Sequence, residues 1–543
     1  MAKSQAWDIP IDLREVRSNG LGSQRSQDPQ DNVALSRTGK KPVLKRTFGF
    51  MSILGFSCLV VDTWGGAFSL LGVGLENGGP AGLLYGFLII WAGNLATFAS
   101  LAELASMAPT AGGQYHWVSL LAPESCQKSL SYVTGWLTVA GWQASVASSG
   151  YVCALYIQGF IELASSEYVP RLWHGTLLLY GVLAAATFFT TILGPALPKI
   201  ESLLLVFYIV GFFAILVPLV YLGPHGSPQD VFTTFINGGN WPTEGLSFFV
   251  GLSGNAFVFL GADSVYHMSE EIHNAPTVVP RSIMWSIVVN GIVGLAMFIA
   301  VLFCIGDIEA ALETTYVYPF IEVLFQATNS ITGSAVIVAI LTILSFALEI
   351  GTLASASRML WSFARDRGVP GWSKISMVNQ STSIPIISIV LTTSLAVLLG
   401  LISIASPVAF NDILSLTVNG LYASYFMACA LLLWRRCTGS IRQETLPSND
   451  SRMNMNLPGS AGKLIWGPWR IPEPFGTLIN AFACVYLVII FFFTFWPPAT
   501  PVTPATMNYS CLVMGVVAVV SVVYYLASAH KTYTGPIVEV TNF

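Results

Sequence analysis

Charge is what this sequence has least of. Only 10% of its 543 residues are Asp, Glu, Lys or Arg, where a soluble globular chain carries about 25%. Hydrophobic residues make up 54% and mean hydropathy is +0.67. A large soluble core does not account for that deficit, so most of the surface faces something other than water. Other signatures are missing too. The 8 cysteines form no CxxC pair and no Cys/His ligand spacing, so they read as small apolar packing residues. No Walker loop, GxSxG elbow or dinucleotide fingerprint occurs, which argues against transport driven by ATP within the chain and against an enzyme. Neither a cofactor nor a nucleic-acid partner is expected, and the net charge of -4 points to no partner. No cleavable signal peptide is visible: the first apolar run begins at Phe48 and would itself direct insertion.

What is present is a succession of apolar runs. At roughly 20 residues per crossing, the chain reads as an all-α integral membrane protein of about twelve transmembrane helices. The runs cover 48–75, 80–107, 130–157, 172–192, 198–222, 246–268, 282–305, 331–363, 385–404, 408–434, 475–496 and 508–529. Residues 1–47 are polar and aperiodic and read as a disordered tail. Residues 48–434 then form the core of ten spans, 435–474 a loop, 475–529 two further spans and 530–543 a second tail. With the N-terminus inside, Arg37, Lys40, Lys41, Lys45, Arg46, Lys128, Lys199, Arg281, Arg365, Arg367, Lys374, the basic residues of 435–474 and Lys531 all fall on one side. Arg171 alone falls on the other, among the acids Glu162, Glu167, Asp230, Glu244, Asp307, Glu309 and Glu313. A missed span would scramble this asymmetry, so the positive-inside rule supports the span count and puts both termini in the cytoplasm.

Two spans carry a polar, Gly-rich patch near the middle. The first reads Asp62-Thr63-Trp64-Gly65-Gly66 and the sixth runs from Ser253 through Phe257, Phe259, Gly261, Ala262 and Asp263 to Ser264. Irregular backbone at membrane depth is tolerated only where it is buried in protein or lines a cavity. Two interruptions in oppositely directed spans suggest an inverted repeat with a binding site between broken helices. The N–H end of a break attracts a carboxylate and the carbonyl end an ammonium. The competing reading is that Gly is common in membrane helices because it permits close packing.

Ionisable groups within spans mark function by default. Asp62 either pairs with a substrate amine or caps freed N–H groups, and the same two readings apply to Asp263. Glu349 lies mid-span with no basic neighbour in sequence and is a candidate proton carrier, as is Asp62. Glu103, Glu270, Glu271, Glu201 and Arg358 lie near the cytoplasmic ends, as interface anchors or gate ion pairs. Trp64, Trp142, Phe257 and Phe259 are candidates to stack on a cation. His267 and Glu271 share a helix face without a third ligand, so no metal site is expected.

Several longer stretches resemble the amino acid–polyamine–organocation superfamily, in particular its fungal amino acid/choline/GABA permease branch. They are Ser100–Trp117 with Glu103 and Pro109-Thr110-Ala111-Gly112-Gly113, then Phe259–Asp263 running on to Glu270-Glu271 and Val279-Pro280-Arg281, and Ser355–Pro370 with Arg358, Arg365 and Asp366. The resemblance implies a LeuT-type fold of five-plus-five inverted repeats with two extra helices. It implies secondary transport of amino acids or related amines such as GABA or choline, by alternating access, with the site at the breaks of spans 1 and 6. Glu103, Glu270 and Arg358 would then serve gating, H+ would be the coupling ion, and the plasma membrane would be the location. The sequence departs from the branch at Asp62-Thr63-Trp64, where an Asn-Ser-Trp-like segment is usual. An acid there favours a cationic head group. A non-transporting nutrient sensor on the same scaffold is the alternative.

Overall fold

The computed structural model describes residues 35–539 except 36, 70, 166, 307–318, 406, 443–463 and 505. The described chain is helical apart from two paired two-residue strands, Ile441–Arg442 and Leu464–Ile465. The bundle is built from α1 (Phe50–Val61), α2 (Thr63–Ser69), α3 (Gly79–Met107), α4 (Gln114–Leu121), α5 (Gln127–Ala164), α6 (Leu172–Thr191), α7 (Leu197–Leu222), α8 (Glu244–Val258), α9 (Ser264–His267), α10 (Ala275–Phe303), α11 (Ile331–Arg365), α12 (Ile386–Gly400), α13 (Pro407–Cys437), α14 (Phe475–Phe493) and α15 (Ser510–Tyr524).

Eleven helices among the described residues are long and apolar enough to cross a membrane. The stretch 246–268 is not one of them. Its helix α8 has 15 residues and stops at Val258. The Asp- and Gly-bearing patch after it does not continue the helical ladder.

Burial is inverted relative to a soluble protein. On α7, Leu203, Val206, Val210, Phe213 and Val217 are all more than half exposed. They recur every three or four residues and form one apolar stripe facing outward. Polar side chains go inward instead. Ser57 on α1 bonds Ser286 on α10 at 2.7 Å, and Asn94 on α3 donates to Tyr486 on α14 at 2.9 Å. This is the packing expected where the surrounding solvent is lipid. The core helix α5 lies along α11 and α13, and α3 lies along α10.

Of the tail expected over 1–47, residues 1–34 and 36 lie outside the described residues. The part from 37 onward packs on the bundle. Lys40 is buried in an ion pair with Asp366, Thr47 N donates to Glu271 O at 2.8 Å, and His273 N donates to Phe48 O at 3.0 Å. The C-terminal segment reaches the same place: Ile537 N donates to Asp366 Oδ1 at 2.8 Å. Both described termini therefore meet at the C-terminal end of α11. Asp307, Glu309 and Glu313 lie outside the described residues, as does most of the 435–474 loop.

Candidate functional site

The first helix interruption is one residue wide. Asp62 adopts the left-handed conformation, φ 36° and ψ 54°, which Asp tolerates better than most residues with a side chain. Hydrogen bonding resumes on both sides: Asp62 N donates to Cys58 O, and Gly66 N donates to Asp62 O, each at 3.0 Å. The freed N–H of Thr63 is taken by Asn290 Oδ1 on α10 at 3.1 Å, and the Thr63 hydroxyl donates to Asn290 O at 2.5 Å. Tyr208 on α7 donates to the same Asn290 Oδ1 at 2.8 Å. Span 1 is thus interrupted at Asp62, within the patch marked from sequence, and held there by a side-chain clamp.

The second interruption is wider. Between α8 and α9, residues 259–263 leave the α-helix, and Gly261 has φ +99°. The two interruptions touch. A Cβ on Gly261 would come within 2.7 Å of Val60 Cγ1 and 3.0 Å of Val60 O, and one on Gly66 would come within 2.9 Å of Val258 Cγ1. Glycine is needed at both positions for this close approach.

An open-sided cavity lies beside the crossing. Of the residues singled out from sequence, Asp62, Gly65, Gly66, Phe257 and Gly261 line it. Asp62 is 7% exposed and its Oδ1 has no hydrogen-bond partner. Its carboxylate lies over the first turn of α2, close enough that a Cβ on Gly65 would collide with it.

The other sequence candidates lie elsewhere. Thr63 is in the Asn290 clamp. Trp64 is fully buried against Tyr208, ring centroids 5.5 Å apart, and Phe259 packs on Phe87 at 5.0 Å. Ala262 is buried off the cavity. Asp263 is also off the cavity and accepts from Trp142 Nε1 at 3.1 Å and Gln114 Nε2 at 3.4 Å, with His267 Nε2 at 3.6 Å. Trp142 thereby anchors Asp263 instead of lining the cavity. Glu349 is fully buried one layer behind the wall. It accepts from Ser149 Oγ at 2.5 Å, and its Oε1 has no partner.

Sequence reading missed the wall formed by α5 and α11. Ser145, Ser149, Val152 and Tyr156 line the cavity from α5, and Ser345, Leu348 and Thr352 from α11. Their spacings follow a helical repeat. A search for small polar residues repeating on one face of an apolar span would have found them.

Ion pairs cluster at the end where the termini meet. Arg358 Nε lies 2.9 Å from Glu271 Oε1, and Arg365 Nη1 lies 3.1 Å from Glu270 Oε2. Arg365 Nε also donates to Glu539 Oε1 at 2.7 Å. Glu103 belongs to a separate cluster. It pairs with Arg436, which also holds Glu473, and accepts from Ile471 N at 2.8 Å.

A sequence model described as amino acid permease matches residues 48–517. The chain belongs to the amino acid permease family. It is 28% identical over 493 residues to a choline transporter of Saccharomyces cerevisiae, covering 90% of this chain and 83% of that one. It is 29% identical over 521 residues to a swainsonine transporter of Arthroderma benhamiae, covering 94% and 96%. It is 26% identical over 555 residues to a GABA-specific permease of S. cerevisiae, covering 99% and 92%. This permease is therefore a multi-pass membrane transporter, and the family and these relatives carry solutes rather than catalyse reactions.

Proposed function

We propose that this permease is a secondary active transporter of amino acids or related amines, working by alternating access around the Asp62 cavity. The observation that carries the proposal is the crossing of two interrupted helices at a cavity containing a carboxylate. The two legs of span 6, added to the eleven membrane-length helices, give twelve crossings. The arrangement fits a five-plus-five inverted repeat of the LeuT type with two added helices.

In this reading Asp62 receives the ammonium group, because a carboxylate removed from water gains most from a counter-charge. Phe257 contributes an aromatic wall. The end closed by Glu270–Arg365 and Glu271–Arg358 faces the cytoplasm, as the clustering of basic residues there favours, and the membrane is the plasma membrane. Opening that end requires those pairs to separate. Glu349 is the proton carrier, reached from the cavity through Ser149. One substrate cation and one proton together neutralise Asp62 and Glu349, which gives H+ symport a charge logic.

The test is uptake of labelled amines and amino acids by cells expressing the protein, at acidic and neutral external pH. Saturable uptake, faster at acidic pH and reduced more than tenfold by Asp62→Asn at equal surface abundance, is expected. Full uptake by Asp62→Asn would remove the cavity's carboxylate from the mechanism.

A further inference from the structure

We infer that the transported solute is an organic cation carrying no carboxylate, an amine or quaternary ammonium compound rather than a zwitterionic amino acid. The inference rests on the transporter reading above and narrows it.

An amino acid brings an anion into the site, and the anion needs donors. The first turn of α2 does not offer them. The Asp62 carboxylate lies over the Gly65 amide, and the Gly66 N–H is already given to Asp62 O at 3.0 Å. Any substrate carboxylate placed there would meet a second carboxylate. Among the described residues, no Lys, Arg or His lines the cavity.

Four of the six hydroxyl residues lining the cavity have their protons committed within the protein. Ser149 gives its proton to Glu349 Oε2 at 2.5 Å or to Ser145 O at 2.7 Å. Tyr156 donates to Gly65 O at 3.2 Å, Thr352 to Leu348 O at 2.8 Å, and Ser69 to Gly66 O at 3.5 Å. A hydroxyl whose proton is committed presents only lone pairs. The polar part of the wall is therefore mainly acceptors around one carboxylate, with a second carboxylate behind Ser149 and the Ser145 and Ser345 hydroxyls beside them. The rest is apolar, from Val60, Val61, Val152, Val258, Leu260 and Leu348. Such a surface recognises a compact apolar body with a positive head. A carboxylate entering it would lose its hydration and recover few hydrogen bonds.

The deciding experiment uses matched pairs that differ in a carboxylate: choline against glycine betaine, tyramine against tyrosine, and isoamylamine against leucine. Initial uptake is measured in cells expressing the full chain, with surface abundance followed by a fluorescent tag. In at least one pair the carboxylate-free member should enter more than tenfold faster than its partner. That uptake should fall more than tenfold in Asp62→Asn and survive in part in Asp62→Glu, which keeps the charge. Equal or faster entry of the carboxylated members would overturn the inference and leave the transporter reading standing. Entry of no member of any pair, with the protein at the surface, would overturn both.

Discussion

Gly261→Ala tests the crossing of the two interrupted helices directly. Gly261 has φ +99°, a conformation that costs an L-residue about 1–3 kcal/mol. The added Cβ would also stand 2.7 Å from Val60 Cγ1 and 3.0 Å from Val60 O. The side chain can rotate away but the carbonyl belongs to α1. Overpacking of this kind costs about 1–3 kcal/mol more. The total, about 2–6 kcal/mol, is relieved only by drawing the 259–263 segment off Val60, which dismantles the cavity wall. Since 1.4 kcal/mol is about a factor of ten in population, uptake should fall more than tenfold. The thermal midpoint of the purified protein should fall as well. Gly515→Ala is the control, because nothing lies within 4 Å of a Cβ there, and it should leave both readouts unchanged. Uptake by Gly261→Ala within twofold of wild type, at an unchanged midpoint, would refute the crossing.

Two further outcomes concern the end where the termini meet. Arg358→Ala strips Glu271 of the guanidinium 2.9 Å away, and unpairing a buried ion costs about 3–5 kcal/mol. A double-mutant cycle with Glu271→Gln, read by thermal or denaturant stability, should give a coupling above about 1 kcal/mol. Additive losses would show that the two groups do not interact. Glu539→Gln weakens a bond to Arg365 that is partly exposed, with the Glu539 side chain 21% accessible, so stability should change by less than about 1 kcal/mol. The C-terminal segment should nevertheless detach, and trypsin should cut after Lys531 several times faster than in wild type. Unchanged cleavage would mean that the Arg365 contact does not hold the segment down.

The parts of this molecule legible in the sequence are those governed by composition along a single helix. Apolar runs marked the spans, and Asp62 and Gly261 marked the places where a helix in lipid stops being regular. The widths of the two interruptions were not legible, because they depend on partners far away in the chain. Asn290, on α10, closes the first to a single residue by taking the Thr63 N–H. No comparable side-chain clamp within α8 or α9 narrows the second. Glu103 and Glu270 read alike as gate acids near span ends, yet they join different clusters because Arg436 and Arg365 come from different helices. The serines of α5 and α11 escaped notice for a related reason. A Ser that bonds the carbonyl four residues back, as Ser149 does with Ser145 O at 2.7 Å, is locally unremarkable in an apolar helix.

Asp62 and Asp263 make the same point about chemistry. Each follows a run of apolar residues and sits in a Gly-bearing patch, and sequence gave both the same two readings. Their neighbours separate them. Asp263 Oδ2 receives donors from Trp142 and Gln114 at 3.1 and 3.4 Å; its Oδ1 is unpartnered like that of Asp62, but it is buried away from the cavity. Asp62 keeps Oδ1 unpartnered at the cavity, which is why the proposed reading gives it the substrate's positive charge. A candidate binding carboxylate in a membrane protein is thus identified less by its own position in the chain than by whether it faces a cavity. Glu349, with one oxygen held by Ser149 and the other free of partners, is grouped with Asp62 through Ser149, which lines the cavity. If that grouping is right, neutralising Glu349 by Glu349→Gln should preserve cation binding while abolishing the stimulation of uptake by external acid. Undiminished acid stimulation in that variant would return Glu349 to the packing between α5 and α11.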